Sequence, residues 1–268
     1  MANIPKRAEE RIKTGIKTFA KVLEGAKARD VNESDTVTIV VDMLSTICGY
    51  DKYTEITSEY AIRGTYCDLA IKTSDDKPTF LIEVKAINIP LKEPHLRQAI
   101  NYAASEGIEW VMLTNGDHWQ AHRVIFGKPV KTEVAFDFSF SDAAKLPMLT
   151  DFFFLISKEG VSKSAIAAFH EECQLTSKYM VAAALLTEPV VATVRRQLMA
   201  AGKGVKITED QILATLQNLV LKREVLEGDD AARAKRRLAA ANRPKKKSEQ
   251  VAAEDAQQRP ETPEQLTA

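Results

Sequence analysis

The spacing of apolar and polar positions changes several times along this chain, and each change marks an element. Over residues 5–27 the apolar positions Ile12, Ile16, Phe19, Ala20 and Leu23 fall on one helical face. Asn32 or Ser34 can cap a second helix that runs to about Cys48, carried by Val37, Ile39, Val40, Met43, Leu44 and Ile47 and stopped by Gly49. The period then shortens. Tyr53–Ile62 alternates and carries Thr and Tyr, Tyr66–Lys72 follows the turn at Gly64, and Thr79–Ile87 follows the polar run Ser74-Asp75-Asp76-Lys77-Pro78; all three read as strands. Pro94 opens a helix that continues to about Ser105 and ends at Gly107. Trp110–Thr114 and His118–Val124 are two further strands joined by an Asn115-Gly116 turn.

Three consecutive strands with short turns predict an antiparallel meander. The helix after them is a crossover that lets the fourth strand enter the sheet parallel to one of the three, an α/β sandwich. Beyond residue 150 the pattern is helical, with helices expected at Ala165–Cys173, Lys178–Ala201 and, behind the capping box Thr208-Glu209-Asp210-Gln211, to about Leu226. From Gly228 large apolar residues almost vanish, so residues 228–268 are expected to be a disordered basic and polar tail in which Arg233–Ala241 forms at most a transient helix. The expected organisation is therefore 1–140 as an α/β domain, 150–227 as a helical accessory region and 228–268 as the tail.

Composition narrows the setting. Lys and Arg total 37 and Asp and Glu total 37, so the chain lacks the basic excess of a purely electrostatic nucleic-acid binder. The charge is unevenly laid out, however: Arg236, Arg237, Lys245, Lys246 and Lys247 belong to a stretch free of acids and are candidates to track a phosphate backbone. No aromatic residue is interleaved with them, which argues against a stacking platform in the tail. No segment has the length of apolar sequence that a membrane span needs, and Met1–Lys21 has no apolar core of a secretory signal, so a cytoplasmic protein is expected. Cys48, Cys67 and Cys173 form no CxxC pair and read as small core residues. Trp110 and Trp119 also read as core.

The chemistry concentrates in Gly64-Thr-Tyr-Cys-Asp68-Leu-Ala-Ile and Phe80-Leu-Ile-Glu83-Val-Lys85-Ala. Alternation puts Glu83 and Lys85 on one face and Ile82 and Val84 on the other, and sets Asp68 opposite in phase to Cys67 and Leu69. Antiparallel pairing then brings Asp68 beside Glu83. Two carboxylates, the main-chain carbonyl of Val84 and waters make an oxygen-rich site suited to Mg²⁺, with Mn²⁺ able to substitute. Such a cation acidifies water and neutralises charge on a phosphoryl oxygen, while Lys85 can orient or deprotonate the attacking water and stabilise the transition state. Taken alone, an E-x-K on a strand is usually a solvated cross-strand ion pair.

The run from about Asn32 to Val124 resembles the N-terminal nuclease domain of type I restriction-enzyme R subunits, within the PD-(D/E)xK superfamily. The matching residues are Asn32-Glu33-Ser34-Asp35-Thr36, Gly64-x-x-x-Asp68-Leu69, Leu81-Ile82-Glu83-Val84-Lys85-Ala86, Gln98-x-x-x-Tyr102 and Trp110-Val-Met-Leu-Thr-Asn-Gly-Asp-His-Trp119. The resemblance implies a restriction-endonuclease-like core, a central mixed sheet flanked by helices, and Mg²⁺-dependent DNA cleavage by Asp68, Glu83 and Lys85 in a restriction, defence or repair setting. Gln98 and Tyr102 resemble the added motif of RecB-like and R-subunit nucleases; spaced i, i+4, both can face the DNA or the catalytic centre. Glu33 and Glu59 are candidates for the additional acid of this superfamily, although Glu33 also sits where an acid favours a helix dipole and Glu59 where solvation alone would account for it. Cys67 stands where a proline often precedes the first acid.

The resemblance also implies a homodimer that cuts both strands. The motor that R subunits carry has no counterpart here: no G-x-x-x-x-G-K-[ST] is present, so ATP-driven translocation would need a motor or other restriction-system subunit in trans. His95, His118, His122 and His170 have no zinc-ligand spacing. Residues 150–226 read as a DNA reader or an oligomerisation surface, with packing on the nuclease core or a partner favoured. The alternative function is a non-catalytic nucleic-acid-binding or scaffold module that keeps a nuclease-like fold. Cleavage of RNA or modified DNA is a further alternative, because a site that reads phosphates does not read the base or sugar.

Overall fold

In the computed structural model, which describes residues 4–62, 64–73, 77–141, 146–202 and 205–242, the alternating middle of the chain forms one six-stranded mixed sheet. Its strands are β1 (Ile56–Ile62), β2 (Thr65–Ile71), β3 (Phe80–Val84), β4 (Trp110–Thr114), β5 (His118–Ile125) and β6 (Lys131–Ser139). They lie side by side in chain order, and every neighbouring pair is antiparallel except β3 and β4. That parallel pair is joined by α3 (Glu93–Glu106), the crossover helix expected from Pro94, and Gly107 ends it at a φ of 70°.

Two apolar layers sandwich the sheet. On one face α1 (Lys6–Arg29) and α2 (Glu33–Thr46) bring Ile12, Ile16, Phe19, Leu23, Val40, Met43 and Leu44 onto Leu69, Ile71, Phe80, Ile82, Val84, Met112 and Trp119. On the other face α3 lays Leu96, Ala99 and Ala103 on Ala70, Leu81, Val111 and Leu113. The alternation of Phe80, Ile82 and Val84 against Leu81 follows the strand period. Asn32 caps α2 by accepting the Asp35 N–H at 2.9 Å. A Cβ at Gly15 would stand 2.7 Å from Ile47 Cγ1, so glycine is what lets α1 lie this close to the end of α2. Arg11 then locks that junction: it donates to both carboxylate oxygens of Glu159 at 2.6 and 2.7 Å and to the Ile47 and Cys48 carbonyls at 3.1 Å.

Several boundaries differ from expectation. The first strand starts at Ile56 because Asp51 turns the preceding chain, its carboxylate accepting the Tyr53 and Thr54 N–H groups. The third strand stops at Val84, and β6 and α4 (Leu146–Leu155) were not anticipated. Both have an apolar signal: Phe136, Phe138 and Phe140 alternate, and Phe152 and Phe153 of α4 pack against them as stacked, tilted and edge-on rings. Short α5 (Lys158–Ser162) and α6 (Ala165–Leu175) follow.

The chain divides into two units, Met1–Cys173 and Gln174–Ala268. The first thus extends past residue 140 and includes α4 and α5. The second holds α7 (Lys178–Leu185), α8 (Glu188–Ala201), α9 (Glu209–Thr215), a π-helical turn (Leu216–Val220), α10 (Arg223–Leu226) and α11 (Asp229–Ala241). The single helix expected over Lys178–Ala201 is two, because Pro189 in the first turn of α8 has no N–H to continue the ladder from α7. The expected capping box is present, with Gln211 N–H on Thr208 Oγ1 at 3.2 Å and Thr208 N–H on Gln211 Oε1 at 2.9 Å. Residues 229–241, expected as the start of a disordered tail, are helical; Ala231 and Ala234 are buried, and Met180 and Ala183 of α7 cluster with Ala234. The helix period of these alanines is a real packing signal that composition alone obscures.

Phe153 is fully buried and meets Trp119, Phe138 and Phe140 edge-on. Phe153→Ala is expected to cost about 3–5 kcal/mol and to lower Tm by roughly 10 °C, as read by thermal melting; an unchanged Tm would show that α4 is not part of the core.

Candidate metal and catalytic centre

The centre forms where one backbone ladder opens. β2 and β3 pair at Ile71↔Phe80, Ala70↔Leu81 and Leu69↔Ile82, and the register ends there. Continued by one step, Asp68 would stand opposite Glu83. Instead the Asp68 side chain enters the gap, and its Oδ2 accepts the Val84 N–H at 2.7 Å. The Cys67 thiol donates to the Ile82 carbonyl at 3.5 Å. In an extended strand a residue's N–H and C=O point to the same side, so the Val84 carbonyl faces the same gap.

The neighbouring strand is distorted at the matching point. β1 pairs Ser58↔Leu69 and Tyr60↔Cys67, which leaves Glu59 opposite Asp68, and Glu59 is left-handed at a φ of 49°. The strands change faces across this step. Ile56, Leu69 and Ile71 belong to the layer under α1 and α2, whereas Ile62 and Cys67 belong to the layer under α3. The regular alternation expected for Cys67 and Leu69 is therefore broken, because a left-handed residue rotates the chain that follows it.

Three carboxylates and one ammonium lie together here, and Glu59 adds its charge from the neighbouring strand. Lys85 follows β3 directly, and its N–H is held by the Thr114 carbonyl at 2.8 Å. Its Nζ lies 3.0 Å from Glu83 Oε1 and 3.3 Å from Glu33 Oε2 on the first turn of α2. The Glu83 and Lys85 side chains are only 12% and 17% exposed, against 50% for Glu33, so the centre opens to solvent on the Glu33 side. Burial raises the pKa of Asp68 above the usual carboxylate value; the Val84 N–H and Lys85 oppose that rise, and Glu33 and Glu59 add to it. Burial and the Asp68 charge likewise raise Glu83, against the pull of Lys85. Burial alone would lower Lys85, but its bond to Glu83 and the charges of Glu83, Asp68 and Glu33 outweigh it and hold the ammonium.

Excess negative charge in a partly buried site calls for a cation. The donors are all hard oxygens, which fits a divalent ion of the Mg²⁺ class. Among the described residues no three His, Cys, Asp or Glu side chains converge as a ready-made ligand set. Asp68 and Glu83 would supply two ligands, with the Val84 carbonyl and water completing the shell.

Gln98 and Tyr102 form a second group on α3. The Gln98 amide donates to the Tyr102 hydroxyl at 2.6 Å and lies 3.5 Å from the Tyr66 carbonyl. Gln98 therefore reaches β2 two residues from Asp68, and its hydrogen bonds run to Tyr66 and Tyr102 and not to the carboxylates. Arg236 and Arg237 are exposed on α11 in the second unit, and Lys245, Lys246 and Lys247 lie outside the described residues.

Asn115, read from the sequence only as a turn residue, is a positioning residue. Its amide donates to the Ile89 carbonyl at 2.9 Å while its oxygen accepts the Asp117 and His118 N–H groups. Together with the Thr114–Lys85 bond, it ties the segment after Lys85 to the β4–β5 turn.

Residues 34–132 match the family model of the type I restriction enzyme R protein N terminus. The matched stretch runs from α2 into β6 and holds Glu59, Asp68, Glu83, Lys85, Gln98 and Tyr102, with Glu33 one residue outside it. The likeness is thus to a nuclease-like domain of a restriction system, as the sequence motifs imply. No curated protein and no solved structure matches the chain. No helix among the described residues is long and apolar enough to cross a membrane.

Carboxylates whose pKa is raised in the folded protein destabilise it at neutral pH, and that cost is relieved as pH falls through the folded pKa. Asp68→Asn keeps an oxygen for the Val84 N–H and removes the charge. The metal-free variant is expected to melt about 2 °C or more above wild type at pH 7.5, with the gap closing toward pH 4. A lower Tm at pH 7.5 would mean that Lys85 more than compensates the charge.

Proposed function

We propose that this chain is a Mg²⁺-dependent nuclease with a PD-(D/E)xK core that hydrolyses DNA phosphodiester bonds in a restriction, defence or repair setting. The observation that carries this reading is the meeting of Asp68, Glu83 and Lys85 at the opened β2–β3 ladder, inside the stretch that matches the R-protein N terminus.

In this reading Asp68, Glu83 and the Val84 carbonyl hold Mg²⁺ or Mn²⁺. Once bound, the ion supplies positive charge at the phosphoryl oxygens and acidifies water. The protein does the positioning. The Val84 N–H fixes the Asp68 carboxylate, and the Thr114 carbonyl fixes the backbone from which Lys85 reaches in. Lys85, 3.0 Å from Glu83, orients or helps deprotonate the attacking water and stabilises charge growing on the phosphate. Glu33, 3.3 Å from Nζ and half exposed, would be the additional acid beside the metal site. Glu59 adds to the negative field at Asp68. Gln98, bonded to Tyr102, lies against the β2 backbone at Tyr66, and the pair would face the DNA or the catalytic centre.

The partners of this reading are DNA, a second copy of the chain for cutting both strands, and a motor or other restriction-system subunit in trans, in a cytoplasmic setting. Arg236 and Arg237, with Lys245, Lys246 and Lys247, would supply phosphate contacts.

The test uses wild type and Lys85→Ala on supercoiled plasmid, linear duplex and single-stranded DNA, in Mg²⁺, Mn²⁺ and EDTA. Wild type is expected to cut only with metal, and Lys85→Ala to lose about 10²–10³-fold in rate. Equal cutting by both proteins would remove Lys85 from catalysis. Metal-independent DNA binding without cutting by either would favour a binding or scaffold module.

A further inference from the structure

A cavity of about 140 Å³ lies between α4 and α6, and none of Asp68, Glu83 and Lys85 lines it. Its size follows from the residues that α6 turns toward it. Ala165, Ala168, Phe169 and Glu172 recur at the spacing of one helical face, and the two alanines leave space opposite Phe152, Phe154 and Leu155 of α4. α6 is held in place from another side, where buried His170 packs edge-on against Trp110 of β4 at 5.9 Å. The rings of the wall are fixed as well. Phe152 stacks on Phe138 at 4.9 Å and meets Phe169 edge-on at 6.1 Å, and Phe154 is buried. Two acids complete the lining, Asp151 half-buried and Glu172 exposed, so negative charge stands at the mouth of an aromatic cavity. Burial raises the Asp151 pKa above the ordinary carboxylate value.

We propose that this cavity binds a small organic cation, an ammonium group carried on an apolar body about the size of a benzene ring. The site is separate from the nuclease reading and does not depend on it. An apolar cavity of about 150 Å³ admits benzene, so the space here suits a body of that size. Aromatic faces carry negative charge and attract cations, and the Phe154 ring already takes the Lys163 ammonium at 6.0 Å from its centre. The other ligand classes fit less well. A neutral hydrophobe would fill the space and leave both carboxylates unpaired at its edge. An anion would be repelled by them. A compact, strongly hydrated cation would shed water against phenylalanine walls that return no oxygen ligand. A hydrophobic cation satisfies the walls with its body and the mouth with its charge.

The experiment titrates the full chain by calorimetry with benzylammonium, benzyl alcohol and benzoate, which share a ring and differ in charge. Wild type is expected to bind benzylammonium about fivefold more tightly than benzyl alcohol and to show no binding of benzoate. Asp151→Asn keeps the size of the side chain and should weaken benzylammonium about fivefold, to the level of benzyl alcohol. Ala168→Phe fills the cavity from an exposed position and should lose both ligands. Asp68→Asn removes a carboxylate from the other acidic centre and should bind as wild type does. Thermal melting checks that the variants are folded, and the charge series with Asp151→Asn decides the question even where Ala168→Phe does not fold. Absence of benzylammonium binding to wild type, equal affinity for benzylammonium and benzyl alcohol, or an affinity unchanged in Asp151→Asn would overturn the proposal. A loss in Asp68→Asn would put the cation at the β2–β3 gap instead and overturn it as well.

Discussion

One hydrogen bond organises this site: the main-chain N–H of Val84 on the carboxylate of Asp68. A buried N–H without a partner costs about 1–3 kcal/mol, and where β2 and β3 part Val84 has lost the carbonyl a continued ladder would have offered it. Asp68 fills that role with a side chain. The substitution lets two strands diverge without an orphaned donor, and it brings a carboxylate into the gap where Glu83 and the Val84 carbonyl already lie. Backbone accounting and functional chemistry thus coincide in one contact.

The rest of the first unit holds that contact in place. β4 runs parallel to β3 and grips Lys85 through the Thr114 carbonyl, while the Asn115 amide secures the following segment at Ile89. α2 delivers Glu33 from a capped first turn, so this half-exposed acid near Lys85 comes from a helix. Below the sheet, Ile82 and Val84 sit in the core at full burial and keep Glu83 on the opposite face. Elements on both sides of the sheet therefore bear on a group of five side chains.

Much of this was legible from the residues. Period-2 spacing in Phe80–Val84 fixed which face Glu83 takes, and the crossover logic anticipated that β4 runs parallel to one of the first three strands, without saying that it is β3. The distortion at Glu59 was not legible, because nothing in Ser58-Glu59-Tyr60 marks a left-handed residue: glycine and asparagine signal that conformation, glutamate does not. The face change between Cys67 and Leu69 followed from it and was missed for the same reason. β6 and α4 are hard to read although their phenylalanines carry a signal, since Leu146–Leu155 is apolar nearly all round and shows no stripe. In the second unit the helix Asp229–Ala241 was hidden by composition: its packing residues are alanines, which count as core only when a close neighbour such as Met180 is known.

The left-handed Glu59 bears on how the site balances stability and chemistry. A non-glycine residue in this region costs of order 1–3 kcal/mol, and Asp68 and Glu83 add a cost at neutral pH because burial raises both pKa values, with repulsion from Glu33 and Glu59 adding at Asp68 and from Asp68 at Glu83. Neither cost serves the fold: a glycine at 59 and amides at 68 and 83 would satisfy the same backbone with less strain. Both features fall on one line across the sheet, Glu59 opposite Asp68 and Asp68 beside Glu83, while the surrounding strands pair regularly. Lys85 relieves part of that repulsion without cancelling it. Among the described residues, the carboxylates of Glu33, Asp68 and Glu83 outnumber the single ammonium of Lys85 that lies among them.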